Sequence, residues 1–443
     1  MRGSGSRGQL APLQSKTKRI SKLPLVALGA CILVLVVLVA LVPSASKPTS
    51  HQSLSLNQLV SEPSHPKIFV YELPHQFNHQ IAARKPWCEQ EAFGTEILLH
   101  EQMLASPHRT LDPEEASLFF VPVYSACIVY KNFGNFQAYR YIVKKALRHV
   151  RVTWPYWNRT QGKDHVWAFV HDYGACLSWH DQVVQTKAET LVTADKSVGT
   201  GGQVFFDELR NSIIISHLGD LSVPCFSTHR DIVIPPLCSD PRIYRQGQGG
   251  AQVARESRDI LIHFRGTVSW YHQFSIPSLG VKKGFDRMYS RGVRQKIYEL
   301  YARDPVFFIQ EGSSQDYVKE LERSVFCLCP TGYATWSRRL FDSVMMGCIP
   351  VIIADNIELP FEKFLDYRKF SVKVLEKDVP NLKKILTSIP PATIRSKQDE
   401  MLKVWKAFAW NRPSQAGDAF NLTMISLLSK ASVRKPVGPA HFT

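Results

Sequence analysis

The sequence predicts two α/β domains in tandem, each built on a parallel sheet, behind an N-terminal apolar anchor. Three observations carry this. Short β-branched and aromatic runs alternate with helical stretches from residue 66 to 430, as strands covered on both faces by crossover helices do. A Gly- and charge-rich stretch at 244–258, YRQGQGGAQVARESR, interrupts the alternation, which then restarts. Such a break reads as an interdomain linker. Finally, an uncharged run spans Leu23 to Pro43, close to the roughly 20 residues a helix needs to cross a bilayer.

Residues 1–22 form a tail carrying Arg2, Arg7, Lys16, Lys18, Arg19 and Lys22. Basic flanks stay cytoplasmic, so the tail is expected in the cytoplasm. The apolar run 23–43 exceeds the core of a cleavable signal peptide and reads as a signal anchor. Residues 44–65 are rich in Ser, Pro and Gln and read as a stem. Everything downstream is then expected in the secretory lumen. Sequons at Asn158-Arg159-Thr160 and Asn421-Leu422-Thr423 fit that placement as candidate glycosylation sites. Beyond Cys31 in the anchor there are eight cysteines. An even lumenal set permits disulfides, whose pairing sequence does not give. Cys327 and Cys329 share one strand face. No cysteine or histidine spacing matches a zinc site.

The first domain, 66–243, starts with a strand at Lys67–Tyr71 and a helical pattern over 89–104. A strand at Leu118–Val123, a helix over 137–151 and a strand at Asp164–Val170 follow. Ile213–Ile215 and Asp231–Ile234 add two more strands. The second domain, 259–430, alternates strands at 260–264, 306–309, 325–328 and 349–353 with helices over 286–303, 315–323 and 337–346. A tail, 431–443, follows. Ligands bind such sheets outside the carboxyl ends of the strands, so two facing domains define a cleft.

The formal charge is +16. No zinc finger, RNA-recognition signature or basic heptad helix accompanies it, so no nucleic-acid partner is expected. The charge suits a solvated surface or the attraction of anionic substrates.

The segment 325–361, VFCLCPTGYATWSRRLFDSVMMGCIPVIIADNIELPF, reads strand, loop, helix, strand. Ser337 stands where an N-cap is expected. Arg338 and Arg339 in the first turn oppose the helix dipole, which makes sense where an anion sits at the helix start. An ordinary αβ unit with surface arginines is the bland alternative. This segment closely resembles the exostosin-type glycosyltransferases (GT47), in particular their plant cell-wall branch and the xylan xylosyltransferases. Other landmarks are Phe69-Val70-Tyr71-Glu72-Leu73-Pro74, His171-Asp172-Tyr173-Gly174 and Phe264-Arg265-Gly266. The likeness covers residues 66–430 in order.

The resemblance implies the GT-B fold, two Rossmann-like domains facing a cleft, with the N-terminal domain holding acceptor and the C-terminal domain the nucleotide-sugar donor. It implies a Golgi type II membrane enzyme with a lumenal catalytic part. The implied reaction is inverting transfer, of xylose from UDP-xylose onto β-1,4-xylan. Arabinosyl, galactosyl or glucuronosyl transfer to another wall polymer remains open. So does a non-catalytic scaffold role beside other glycosyltransferases in a synthase complex. Such transfer needs a base for the acceptor hydroxyl and positive charge for the leaving diphosphate. Metal-dependent transferases often carry Asp-x-Asp, and the chain has none, so no metal or other cofactor is expected. The donor-site candidates are Arg265, Gly266, Gly332, Ser337, Arg339 and Asp342. Asp342 replaces the family's usual Glu, expected to accept ribose hydroxyls. Arg338, Thr331, Tyr333 and Thr335 replace the usual Pro, Leu, Trp and Pro. For the base the candidates are Asp172, then His171 and Glu72. Trp154, Tyr156 and Trp157 are candidates for stacking on sugar rings or for the core.

Overall fold

The computed structural model describes residues 66–129, 136–175, 208–238, 240–247, 258–268 and 289–433. The expected cytoplasmic tail, anchor and stem lie outside these, as do most of the linker and of the C-terminal tail. Among the described residues no helix is long and apolar enough to cross a membrane.

Two parallel sheets are present. The first comprises β1 (Lys67–Val70), β2 (Arg109–Thr110), β3 (Ala116–Val121), β4 (His165–Phe169), β5 (Ile213–Ser216) and β6 (Ile232–Val233). Their order is β2-β1-β3-β4-β5-β6, every pair parallel. β4 and β5 are buried along their whole length, as strands covered on both faces must be. Helix α1 (Thr95–Ala105) covers one face and α2 (Phe136–Thr153) the other. In α2, Tyr139, Val143, Ala146, Leu147 and Val150 recur at helical spacing and bury with Phe119, Trp167 and Phe169.

After α3 (Pro241–Gly247) the second sheet has β7 (Ile260–Gly266), β8 (Phe307–Glu311), β9 (Ser324–Pro330), β10 (Ile349–Ile353) and β11 (Val372–Lys373). Its order is β11-β10-β9-β7-β8, again all parallel. β7 lies between β8 and β9. The chain leaves β7 to one side and returns across it to the other, so the loops after β7 and β9 diverge. That divergence is a topological switch point, where open α/β sheets hold ligands. Helices α4 (Val293–Tyr301), α5 (Tyr317–Glu322) and α6 (Arg338–Met345) link these strands.

The two lobes meet at strand carboxyl ends. Glu358 N–H donates to the Gly219 carbonyl at 2.7 Å, and Leu221 N–H to that of Asn356 at 2.8 Å. The Tyr173 ring lies 4.9 Å from Tyr333, and that of His217 lies 5.1 Å from Trp336.

Several expectations change. Residues 244–247 close helix α3 rather than open a linker. The helix expected over 89–104 begins at Thr95, after two 3-10 turns tied down by the Cys88–Cys127 disulfide. The helix expected over 286–303 begins at Val293. β2 and β11 have two residues each, too short for a periodic signal. The last helix, α7 (Ala419–Val433), returns to the first lobe against β6. There Lys430 Nζ donates to the His229 carbonyl at 2.9 Å. The stretch expected to end the second domain therefore completes the first. Cys327 and Cys329 both bury, but only Cys327 is bridged, to Cys348; Cys329 stays a thiol.

Candidate functional site

A cavity of about 840 Å³ opens where the loops after β7, β8 and β9 face the loop after β4. Its lining includes Arg265, Gly266, Gly332, Ser337, Arg339 and Asp342 from the second lobe and Asp172 from the first. Arg294, which sequence reasoning placed inside a helix without a role, also lines it.

One wall is cationic. Arg339 Nε donates to the Arg265 carbonyl at 2.7 Å, and its guanidinium lies 4.9 Å from the Phe264 ring centre. Among the described residues no carboxylate pairs with it. Arg294 is 6% exposed. It donates to the carbonyls of Thr331 and Thr267 and to the Tyr289 hydroxyl, at 2.9–3.0 Å. Burial, then the charge of Arg339, pulls its pKa down to about 10. Two guanidiniums held by neutral oxygens leave positive charge for an incoming anion.

The two glycines make room for them. A β-carbon at Gly266 would stand 2.0 Å from Arg339 Nη2, and one at Gly332 would stand 2.6 Å from Arg294 Nη2. Gly266→Ala should therefore displace the Arg339 guanidinium and strain the local backbone, which Gly266 holds at φ +157°. The expected result is a weaker affinity for nucleotide sugar in calorimetry with an unchanged far-UV spectrum.

Arg265 departs from its expected role. It lines the cavity, but Nε and Nη2 bind the two oxygens of Glu320, each at 2.7 Å. Glu320 also takes a hydrogen bond from His263 at 3.0 Å. Burial raises the Glu320 pKa, but Arg265 and His263 outweigh it and hold the group below its ordinary value. Burial pushes His263 down to about 4, against the pull of Glu320. Arg265 thus carries a neutralised charge and braces β7 against α5. Glu320→Ala leaves Arg265 without its carboxylate and should cost about 3–5 kcal/mol, measured by urea unfolding.

Ser337 occupies the N-cap position of α6 with extended backbone angles, yet its side chain makes no capping bond. Its hydroxyl instead accepts from Arg339 Nη1 at 3.3 Å. Asp342 is 3% exposed. Its Oδ2 accepts from the Tyr317 hydroxyl at 3.2 Å and lies 3.5 Å from Arg338 Nε. Burial raises its pKa, while Arg338 and Tyr317 lower it. Arg338 is thus turned to Asp342.

The three base candidates separate. Asp172, half-buried at the carboxyl end of β4, lines the cavity. Burial pushes its pKa up to about 7, the value at which a carboxylate takes protons near neutrality. His171 turns into the first lobe against Phe93, ring centres 5.1 Å apart, and its Nδ1 accepts from the Tyr173 N–H at 3.3 Å. Glu72 is exposed and outside the cavity lining.

Trp157 and Tyr156 belong to the core, Tyr156 stacked on Phe119 at 4.9 Å. Trp154 is half-buried on Tyr71 at 4.7 Å. Of the sequons, Asn158 is exposed. Asn421 sits in α7 with its Oδ1 accepting from the Gly417 N–H at 3.0 Å, and Thr423 is fully buried. The second sequon is thus sheltered in the folded chain. Among the described residues no cluster of three or more His, Cys, Asp or Glu is set to hold a metal ion.

The Exostosin GT47 domain description matches residues 62–389. A protein of Oryza sativa subsp. japonica named "Probable glucuronosyltransferase" is 35% identical over 368 residues, covering 82% of this chain and 80% of that one. Arabidopsis thaliana has a relative named "Probable beta-1,4-xylosyltransferase IRX10L". It is 34% identical over 393 residues, 87% of each chain. A protein crystallised as Anabaena Alr3699/HepE in complex with UDP-glucose covers 82% of this chain and 99% of its own. Its identity is 10% and its TM-score 0.35, too distant a likeness to carry an argument.

Proposed function

The chain belongs to the exostosin GT47 family, a glycosyltransferase family, and from that premise we propose that it transfers xylose from UDP-xylose to a growing β-1,4-xylan, with inversion. The observation that carries this is the pairing of Arg339 and Arg294 on one wall with Asp172 on the other. The first pair faces the leaving diphosphate. Asp172 faces the incoming hydroxyl and takes its proton. Relatives named as xylosyltransferases and as glucuronosyltransferases both align along most of the chain, so UDP-glucuronic acid is the second donor to test. The architecture is read as GT-B, with the donor in the second lobe. The 23–43 run is read as a signal anchor and, with the family resemblance, supports a Golgi membrane enzyme with its catalytic part in the lumen.

Charge stabilisation is assigned to the arginines and the start of α6, without a metal. The test is transfer of radiolabelled sugar by the full-length protein to xylo-oligosaccharide, with and without EDTA. Product from UDP-xylose, at equal rate in EDTA, is expected. Product from UDP-glucuronic acid alone reassigns the donor. Binding of donor without any product, together with co-purifying transferases, would favour a scaffold.

A further inference from the structure

We infer that a small pocket between the lobes, lined by His217, Thr335 and Trp336, seats one hydroxyl of the transferred sugar and so fixes the sugar end of the donor. This rests on the nucleotide-sugar donor proposed above and assigns its sugar a subsite. His217 follows β5 in the first lobe, while Thr335, Trp336 and Ser337 come from the loop between β9 and α6 in the second. Trp336 and Ser337 line both this pocket and the large cavity. The pocket measures about 10 Å³, room for one water-sized group.

Around it, His217 Nδ1 and Nε2, Thr335 Oγ1, Trp336 Nε1 and Glu358 Oε2 are buried without a hydrogen-bond partner of ordinary geometry among the described residues. His217 is 2% exposed and Thr335 5%. Folded proteins pair such atoms, so their gathering on one pocket calls for a guest. Their chemistry says which. Burial, against the pull of the Val170 backbone, drives the His217 pKa down to about 3. The neutral ring has one N–H to donate and one nitrogen to accept. Trp336 Nε1 donates, Glu358 Oε2 accepts, and the Thr335 hydroxyl does either. A hydroxyl, itself both donor and acceptor, answers this set. A carboxylate or phosphate does not, because no Lys or Arg among the described residues lines the pocket and the Glu358 carboxylate does.

A sugar hydroxyl and a water share this chemistry, and position favours the sugar. Ser337, on the pocket wall, accepts from Arg339 Nη1, and Arg339 is the residue set against the diphosphate. The sugar is bonded to that diphosphate, so its ring comes to the pocket. Thr335 also stands where the family pattern usually has Pro. Its hydroxyl is thus an addition of this chain at that point.

The test is calorimetry on full-length protein in detergent with UDP and with UDP-xylose, replaced by UDP-glucuronic acid if the wild type prefers it. The variants are Thr335→Val and His217→Phe. Each is expected to lose about 3–10-fold in affinity for the UDP-sugar, the scale of one hydrogen bond, with affinity for UDP unchanged. Thr335→Val replaces a partnerless hydroxyl by a methyl of similar shape, so its thermal midpoint without ligand should equal or exceed that of wild type. It decides the matter should His217→Phe fail to fold. Unchanged UDP-sugar affinity in Thr335→Val overturns the inference and leaves the pocket to a water. A loss shared equally by UDP overturns it too. Both results leave the transferase reading standing, whereas a wild type that binds neither UDP nor UDP-sugar strikes that reading and this inference together.

Discussion

Arg339→Ala is expected to lower kcat/KM for sugar transfer about 10²–10³-fold, the usual cost of removing one fixed donor from a developing anion. Arg339 is singled out because its neighbours are already engaged. Glu320 holds Arg265 bidentately, and Arg338 faces Asp342. Arg294 is anchored by two carbonyls and a hydroxyl. Arg339 has one short bond, from Nε to the Arg265 carbonyl, and one long bond, from Nη1 to Ser337. Arg339→Lys should recover only part of the loss, because an ammonium lacks the planar fork that grips a phosphate in two places. Stabilisation by UDP-sugar follows affinity logarithmically, so the thermal shift given by a fixed UDP-xylose concentration should shrink in parallel. A variant within fivefold of wild type in both assays would remove Arg339 from the donor site.

The strands were legible because fully buried parallel strands spell out continuous apolar runs, as HVWAF in β4 and IPVII in β10 do. Alternation with helices then gave two parallel sheets. Register was not legible, and neither was the return of α7 to the first lobe, because both depend on contacts between residues far apart in the chain. The cavity residues Gly266, Gly332 and Arg339 were readable because they cluster around two strand ends, and Asp342, inside α6, only through the family resemblance. Arg294 and Glu320 were not. Each lies in the interior of a helix, and only the fold shows that α4 carries Arg294 beneath the β9 loop or that α5 offers Glu320 to β7. One signal was available for Glu320: Arg265 at a strand end needs a carboxylate or an anion, and the fold supplies the carboxylate. The glycines were assigned to donor contact, whereas the geometry makes them the gaps through which guanidiniums pass.

Asp172→Asn should reduce kcat about 10²–10⁴-fold, the range of a lost general base, while leaving donor affinity near wild type. The larger consequence lies in the pH profile. Burial raises the Asp172 pKa from 3.8 to about 7. A base works only when ionised, so wild-type kcat/KM should climb about tenfold per pH unit below that value and level off above it. The variant should lose that limb. The same shift has a sign for stability. Because the folded pKa lies above the unfolded one, the protonated group favours folding, fully below pH 3.8 and vanishing as pH rises through about 7. Replacing Asp172 by Asn removes this dependence. Denaturation midpoints measured at pH 5 and pH 8 should therefore show the variant gaining on wild type as pH rises. A structural aspartate, ionised and hydrogen-bonded, would show the opposite trend, since its loss would hurt most at high pH. Activity alone can fall for many reasons, but a catalytic loss coupled to a stability gain at pH 8 is what a half-buried carboxylate with a raised pKa demands.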